Sequence, residues 1–443
     1  MRFRTRKHFA LLIRLAVEAG RKFTRDYLVD LLWSDAPPQR ASHSLAQAIS
    51  VLKAKVGREH VLVQKATVAL ADGVVDADVR RLDGRNVEIR GPFLDGFEVP
   101  GAASFEQWKD ERRARLMAQL RDCLVTQMDA GRRVGDFGTV ERHALVLHDL
   151  DPLSEDAVRG LMEARAWVGD RSNALKVFGR FEARLAEELG AKPSPDLVRI
   201  ADLLREGRGA APRRHGEEAA PEPRERRFEA ETLIGREREF SALYDAWLEA
   251  RRRTPRIIVL TGDPGVGKTT LTNAFLSTCQ MEGAVVARAQ AYDAERELPF
   301  AVLAELVKQL ALQRAIGGAD PEALAELTRV SPEIPRAFPG VPKPPDWSAD
   351  VMPLRFADAF LKMVEAAAEE SPLVVVVDDI HASDNASAAI LHMVARKLPR
   401  TRLLLILTGR PSELRMAAAP AALVTDSTVE ALRPLELEPL GPE

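Results

Sequence analysis

Apolar positions recur at helical spacing from Lys7 to Ala19 and again from Thr24 to Trp33, which predicts two helices, with Thr24 and Asp26 as start signals for the second. Pro38 and Gln39 open a third, RASHSLAQAISVLKAKVG. On a 3.6 period Leu45, Ala48, Ile49, Leu52 and Val56 share one face, and Arg40, His43, Gln47 and Ser50 share the opposite one. The pattern then changes to alternation: VLVQKATVALADG reads as two short strands able to form a hairpin. Helical spacing returns over 100–206 and stops at GRGAAPRRHGEEAAPEPRERRFEAE, where Pro, Gly, Ala and charge leave almost nothing to bury. Beyond that linker stand the buried strands RIIVL, LVVVV and LLLIL, of which the four consecutive valines suit a parallel sheet covered on both faces.

These changes of period divide the chain into a head (1–84), a helical middle (95–206), a linker (207–231) and a strand-containing third part (232–443). The head-to-middle boundary falls in RNVEIRGPFLDGFEVPG, where short apolar pieces stand between Gly and Pro. Inside the middle, Val134-Gly135-Asp136 recurs as Val168-Gly169-Asp170, an offset of 34 residues, which is the tetratricopeptide period. Each copy opens a helix pair, so a small helical repeat array is expected, with Gly135 and Gly169 as turn formers and Trp108, Trp167, Phe178, Leu185 and Leu189 packing between helices.

Composition adds limits. A chain of 443 residues, 46% hydrophobic and 29% charged, is ordinary globular material with room for about three domains. Cys123 and Cys279 lie far apart in helix-like text, so neither a disulfide framework nor a zinc site follows, and a reducing, cytoplasmic setting is the expectation. Arg14 interrupts the apolar run behind MRFRTRKH and no small-residue cleavage site follows, which argues against a secretion signal. No stretch is apolar for long enough to span a bilayer.

The net charge of −3 is unevenly placed, because residues 1–60 hold twelve Lys and Arg against five acids. Contact with a polyanion is therefore expected in the head. The face formed by Arg40, His43, Gln47 and Ser50, flanked by Lys53 and Lys55, suits a helix lying in a DNA major groove. A solvated helix face carries the same residue types, so the face alone leaves both alternatives open. The order of three helices and a hairpin resembles the winged-helix domains of response-regulator-type transcription factors.

The string LDPLSEDAVRGLMEARAWVGDRSNALKVFGRFEARLAEELGAKPSPDLVRI makes a second resemblance specific. Asp151-Pro152-Leu153 with Glu155, Gly169-Asp170 with Ala174, and Glu188-Leu189-Gly190 with Pro193 and Pro195 resemble the bacterial transcriptional activator domain of the antibiotic regulatory protein family. In that family the domain follows a winged helix directly, as here. The resemblance implies binding of double-stranded promoter DNA, contact with RNA polymerase and a homo-oligomer on DNA, since one such module buries only about 600–1,000 Å².

The third part carries the chemistry. Gly262-Asp263-Pro264-Gly265-Val266-Gly267-Lys268-Thr269 matches the P-loop pattern at every fixed position, with Thr270 next in the following helix. Glycines let the backbone turn its N–H groups inward with no side chain between them and the phosphates. Lys268 is placed to reach the outer phosphates and Thr269 to hold Mg2+. Asp378 and Asp379 emerge at the C-terminal edge of the valine strand; Asp378 is the expected magnesium carboxylate and Asp379 the group that polarises an attacking water. Thr408-Gly409-Arg410 ends the next strand, where Arg410 is either a sensor of the terminal phosphate or one half of a surface ion pair.

These pieces resemble the signal-transducing, AAA-related ATPases attached to many bacterial regulators. Leu233-Ile234-Gly235-Arg236-Glu237 is similar to their entry motif, which places Gly235 and Arg236 near the adenine; Glu297-Leu298-Pro299-Phe300 and Asp379-Ile380-His381 with Asp384 are similar to two further segments. The resemblance implies ATP and Mg2+ as cofactors. That family continues past its last core strand into a helical lid, whereas this text ends EALRPLELEPLGPE, and only MRFRTR precedes the first helix where such winged helices usually carry a small sheet. An arginine supplied to the transition state is worth about 10³–10⁵ in rate, so slow turnover, suited to a switch, is expected.

The sequence therefore predicts a multidomain chain: a winged helix, an all-α repeat domain of tetratricopeptide type and an α/β P-loop NTPase domain. The function expected is a cytoplasmic transcriptional activator regulated by ATP or ADP. The alternative is a nucleotide-driven ATPase or scaffold whose head binds protein.

Overall fold

The structure, a computed structural model, describes residues 3, 5–80, 91–206, 235–312, 316, 318–346, 351–398 and 400–440. The linker 207–231, Leu233-Ile234 of the entry motif and most of the RNVEIRG segment lie outside the described residues. Two compact units divide the chain, Met1–Gln127 and Met128–Glu443.

The first unit starts with α1 (Arg6–Val17), capped by the Thr5 hydroxyl, which accepts from the His8 N–H at 3.3 Å. A two-residue strand β1 (Phe23–Thr24) runs into α2 (Arg25–Trp33), and Thr24 caps it by accepting from the Tyr27 N–H, as its start signal predicted. Next comes α3 (Pro38–Val56), with proline in its first turn where a missing N–H costs nothing. The hairpin follows as β2 (Val61–Val63) and β3 (Thr67–Leu70), antiparallel with Val61 opposite Leu70. Unforeseen was β1, which pairs antiparallel with β3 and makes a three-stranded sheet of order β1-β3-β2. Leu11, Leu15, Leu28, Leu32, Leu45, Leu52 and Val68 form the core with Phe105 from α4 (Ala103–Val134).

Arg14, the charge that breaks the first apolar run, is buried in this unit. Its guanidinium carbon lies 4.1 Å from the Phe23 ring centre and 5.0 Å from that of Trp108, while Nε donates to the Tyr27 hydroxyl at 3.0 Å and Nη1 pairs with Glu18 at 3.1 Å. Aromatic faces and one carboxylate thus replace the water a buried cation loses.

The second unit begins with the last turns of α4 and continues through α5 (Phe137–Leu150), α6 (Glu155–Trp167), α7 (Arg171–Leu189) and α8 (Pro195–Arg205). The repeated Gly-Asp pair has one physical job in both copies. Gly135 and Gly169 take positive φ (+73° and +80°), where a side chain is disfavoured, and Asp136 and Asp170 then cap the next helix by accepting the N–H of Thr139 and Asn173 at 2.9 and 3.2 Å. Of the residues expected between helices, Phe178 and Leu185 are buried and Trp108 and Trp167 half-buried. Leu189 is 64% exposed, because α7 ends there and Gly190 turns the chain away in the left-handed region.

After α9 (Glu237–Arg251) comes a five-stranded parallel sheet of order β5-β6-β7-β4-β8. Its elements run β4 (Arg256–Gly262), α10 (Lys268–Met281), β5 (Val285–Gln290), α11 (Ala301–Ala311), α12 (Pro321–Leu327), α13 (Glu333–Ala337) and α14 (Met352–Glu370). They continue as β6 (Leu373–Asp378), α15 (Asn385–Lys397), β7 (Leu403–Gly409), α16 (Pro411–Leu414), α17 (Ala418–Thr425) and β8 (Leu432–Leu437). Every residue of β6 and β7 is buried, as the unbroken apolar runs required. Unforeseen too was a strand in LRPLEL; β8, which contains Pro434, lies at the sheet edge beside β4, where proline is tolerated.

Within this unit the repeat helices and the sheet helices share aromatic contacts. Phe137 stacks on Trp167 (centroids 4.4 Å), Trp167 meets Phe240 edge-on (6.0 Å), and Phe240 meets Phe275 of α10 (5.9 Å). Met281, the last residue of α10, is buried among Val158, Met162, Ile200 and Leu204 of α6 and α8.

Candidate functional site

The predicted phosphate loop leaves β4 at the C-terminal edge of the sheet and enters α10 at Lys268, with Gly267 as its N-cap. Gly265 and Gly267 have φ of +83° and +95°, and no atom stands within 4 Å of where a Cβ would project. Gly262 is constrained differently: a Cβ there would lie 2.7 Å from the Leu437 carbonyl of β8, so this glycine serves the close approach of two strands. Asp263, Pro264, Thr269 and Thr270 are exposed, and Val266 is half-buried.

Lys268 is only 9% exposed, and its ammonium donates to the carbonyls of Gly262 (2.7 Å) and Asp263 (2.9 Å) in its own loop. Burial lowers its pKa from the usual lysine range, with Asp379 and Asp263 opposing that and Arg410 adding to it. Lys268, Asp379 and Arg410 therefore stand in one electrostatic neighbourhood, although 142 positions separate the first from the last.

The two neighbouring aspartates have different surroundings because the strand ends between them. Asp378, 3% exposed, ends β6 and receives the Thr408 hydroxyl on Oδ1 at 3.2 Å and the Arg288 Nε on Oδ2 at 2.5 Å. Asp379 has left the strand with φ +52°, a conformation rare outside glycine and tolerated by Asp, and its Oδ2 accepts from Gln290 at 2.8 Å. Its N–H donates to the Thr408 hydroxyl at 3.0 Å, so one threonine on β7 fixes both aspartates.

Arg410 pairs with Glu413 at 2.7 Å, and the other Glu413 oxygen lies 3.0 Å from the Nε2 of His381, itself 3% exposed. Among the described residues, the His381 Nδ1 meets no hydrogen-bond partner and faces Asp379 Oδ1 at 3.9 Å. Arg236 is 6% exposed: Nη2 donates to the carbonyls of Val266 (2.9 Å) and Glu438 (2.7 Å), and Nη1 pairs with Glu239 at 3.0 Å. The structure thus places Arg236 as a brace from the phosphate loop to the end of β8, with the neighbouring Gly235 exposed. Asp384, from the extended acidic motif, caps α15 and also accepts the Phe300 N–H at 2.9 Å, tying that motif to Glu297-Leu298-Pro299-Phe300.

The residues present fit a metal-bound nucleotide. They offer an unobstructed glycine loop, an ammonium on carbonyls that phosphate oxygens can replace, an exposed hydroxyl at Thr269 and a buried carboxylate at Asp378. Sequence reasoning did not find Arg288, Asn273, Gln290 or Glu413. The signal for the first and third was present in VVARAQ, where Ala287 and Ala289 are buried and the alternate positions carry long polar side chains.

The second predicted set lies on α3 in the first unit. Leu45, Ala48, Ile49 and Leu52 are buried, Arg40, His43, Gln47, Ser50 and Lys55 are exposed, and Lys53 and Val56 are half-buried. Gln47 and His43 lie 3.3 Å apart, one turn from each other.

Two family models match this chain, and known proteins resemble it. The profile of the AAA ATPase domain matches residues 232–406, and that of the bacterial transcriptional activator domain matches 56–205. Regulatory protein AfsR of Streptomyces griseus is 26% identical over 284 residues, and that of Streptomyces coelicolor is 28% identical over 297. Each match covers 59% of this chain, which spans only 29% of either AfsR protein. Mycobacterium tuberculosis EmbR, solved in complex with a low affinity phosphopeptide, aligns with a TM-score of 0.36 at 20% identity, over 46% of this chain and 60% of that one. No helix among the described residues is long and apolar enough to cross a membrane. An AAA ATPase domain implies the use of nucleotide in general, and with the bacterial transcriptional activator domain beside it the chain is similar to the regulators of the antibiotic regulatory protein type that carry an ATPase domain.

Proposed function

We propose that the chain is a cytoplasmic transcriptional activator whose DNA contact is governed by nucleotide at the phosphate loop. The observation that carries this reading is Lys268, whose ammonium rests on two loop carbonyls within electrostatic reach of Asp379 and Arg410. A triphosphate replaces those carbonyls with more strongly charged acceptors, held by the loop N–H groups and Lys268. Thr269 and Asp378 would hold Mg2+, which supplies charge neutralisation at the phosphates when bound. Asp379 and Arg410 would meet the attacking water and the terminal phosphate, and the ATPase activity is that of a slow switch.

At the other end of the function, the first unit acts as a winged helix that lays α3 in the major groove of promoter DNA. The exposed set Arg40, His43, Gln47, Ser50 and Lys55 supports this, as do the basic balance of the first 60 residues and the activator domain. The repeat helices dock RNA polymerase and a second copy on DNA.

The test uses the full chain. Fluorescent ATP with Mg2+ should bind, Lys268→Ala should abolish that binding, and a gel shift with the gene's own upstream region should show salt-sensitive, sequence-selective retention. Nucleotide binding without retention at low salt would favour the alternative, a nucleotide-driven scaffold whose head binds protein.

A further inference from the structure

Arg288 is held at four points. It sits in β5, one of the two edge strands of the sheet among the described residues, where the Gln309 side chain of α11 takes the place of a neighbouring strand: its Oε1 accepts the Arg288 N–H at 2.8 Å and its Nε2 donates to the Arg288 carbonyl at 2.6 Å. The guanidinium then reaches across the sheet edge, with Nε on Asp378 Oδ2 and Nη1 on Asn273 Oδ1, the latter on α10 four residues beyond Thr269. With Thr408 on Oδ1, both oxygens of the expected metal carboxylate are engaged.

We propose that Arg288 is a positioning residue that serves as the standing counter-charge of Asp378, so that this site accepts a divalent cation together with a nucleotide but not a divalent cation alone. The inference rests on the nucleotide-site reading above. A carboxylate already paired with a guanidinium offers a dication little net attraction, and the dication also meets the repulsion of the arginine. The phosphates of a nucleotide bring enough negative charge to reverse that balance. Arg288 thereby ties metal entry to nucleotide entry, and Asn273 keeps the guanidinium in register with the phosphate-loop helix.

The probe is Mn2+ without nucleotide, added to the full chain and followed by loss of its sharp aqueous electron-spin-resonance signal. The wild type should bind no more Mn2+ than Asp378→Asn. Arg288→Gln, or the volume-conserving Arg288→Met if the glutamine variant does not fold, should gain a site at least about tenfold tighter, which Asp378→Asn in the same chain removes. Arg288→Lys, which keeps the charge, should behave as wild type. The inference is overturned if the wild type already shows Asp378-dependent Mn2+ binding, if neutral variants gain no affinity, or if the lysine variant gains as much as they do. Fluorescent ATP separates this from the reading beneath it. ATP binding that survives Lys268→Ala defeats the site itself, whereas Lys268-dependent ATP binding with unaltered Mn2+ behaviour in Arg288→Gln defeats only the role of Arg288.

Discussion

Trp167 and Phe240 meet edge to face, ring centroids 6.0 Å apart and planes at 85°, and so join the last residue of α6 to α9. Through Phe240 the contact reaches Phe275 on α10, the helix that begins at Lys268. Repeat helices and phosphate-loop helix therefore share one packed seam. Trp167→Ala removes a half-buried ring from it and should destabilise this unit by about 2 kcal/mol, below the cost of a fully buried aromatic. Urea denaturation measures the change, and an unaltered midpoint would show that the seam contributes nothing.

Arg236 makes a second prediction. Its three partners, the Val266 and Glu438 carbonyls on Nη2 and the Glu239 carboxylate on Nη1, together need the planar fork of a guanidinium. Arg236→Lys keeps the charge but not the fork, and should lose about 1–2 kcal/mol of stability and weaken fluorescent-ATP affinity. Wild-type affinity in that variant would mean that the brace does not shape the loop.

The pH response is set in part by His381. Burial pushes its pKa below the ordinary histidine value, against the pull of Asp379 and Glu413. In the window just below about pH 6.5 the unfolded chain then binds more protons than the folded one. The stability from neutral His381 is complete above that pH and is lost as pH falls toward the folded value. His381→Gln should flatten the acid side of a Tm-against-pH curve, and parallel curves for variant and wild type would contradict the assignment.

If α3 lies in the major groove as proposed, its exposed residues separate by role. Gln47→Ala should cost about 1–3 kcal/mol on the cognate operator and little on random DNA, whereas Lys55→Ala should weaken both equally and reduce the salt slope by about 1. Gel shifts across a salt series read both, and two variants indistinguishable from wild type would remove α3 from the interface.

Helices and buried strands were legible because their periods are local: the α3 apolar face, the valine run of β6 and the repeated Gly-Asp turn each state their structure within a few residues. Short strands were not. β1 has two residues and owes its existence to pairing with β3, and β8 contains a proline that only an edge position accommodates. In the site, the phosphate loop and acidic pair were readable as motifs. Thr408 as a fixture for both aspartates, and Arg288 as a partner of Asp378, depend on parallel register between strands far apart in sequence, whereas Glu413 meets Arg410 locally, three residues on in the short helix after β7.

Nucleotide control of promoter contact is tested most directly by operator affinity of the full chain at fixed salt with no nucleotide, with ADP, and with a non-hydrolysable ATP analogue and Mg2+. The account predicts that at least one nucleotide state differs from the others by about tenfold or more, equivalent to about 1.4 kcal/mol, and that Lys268→Ala erases the difference. Equal affinity in all three states, in the wild type and with RNA polymerase present, would contradict it.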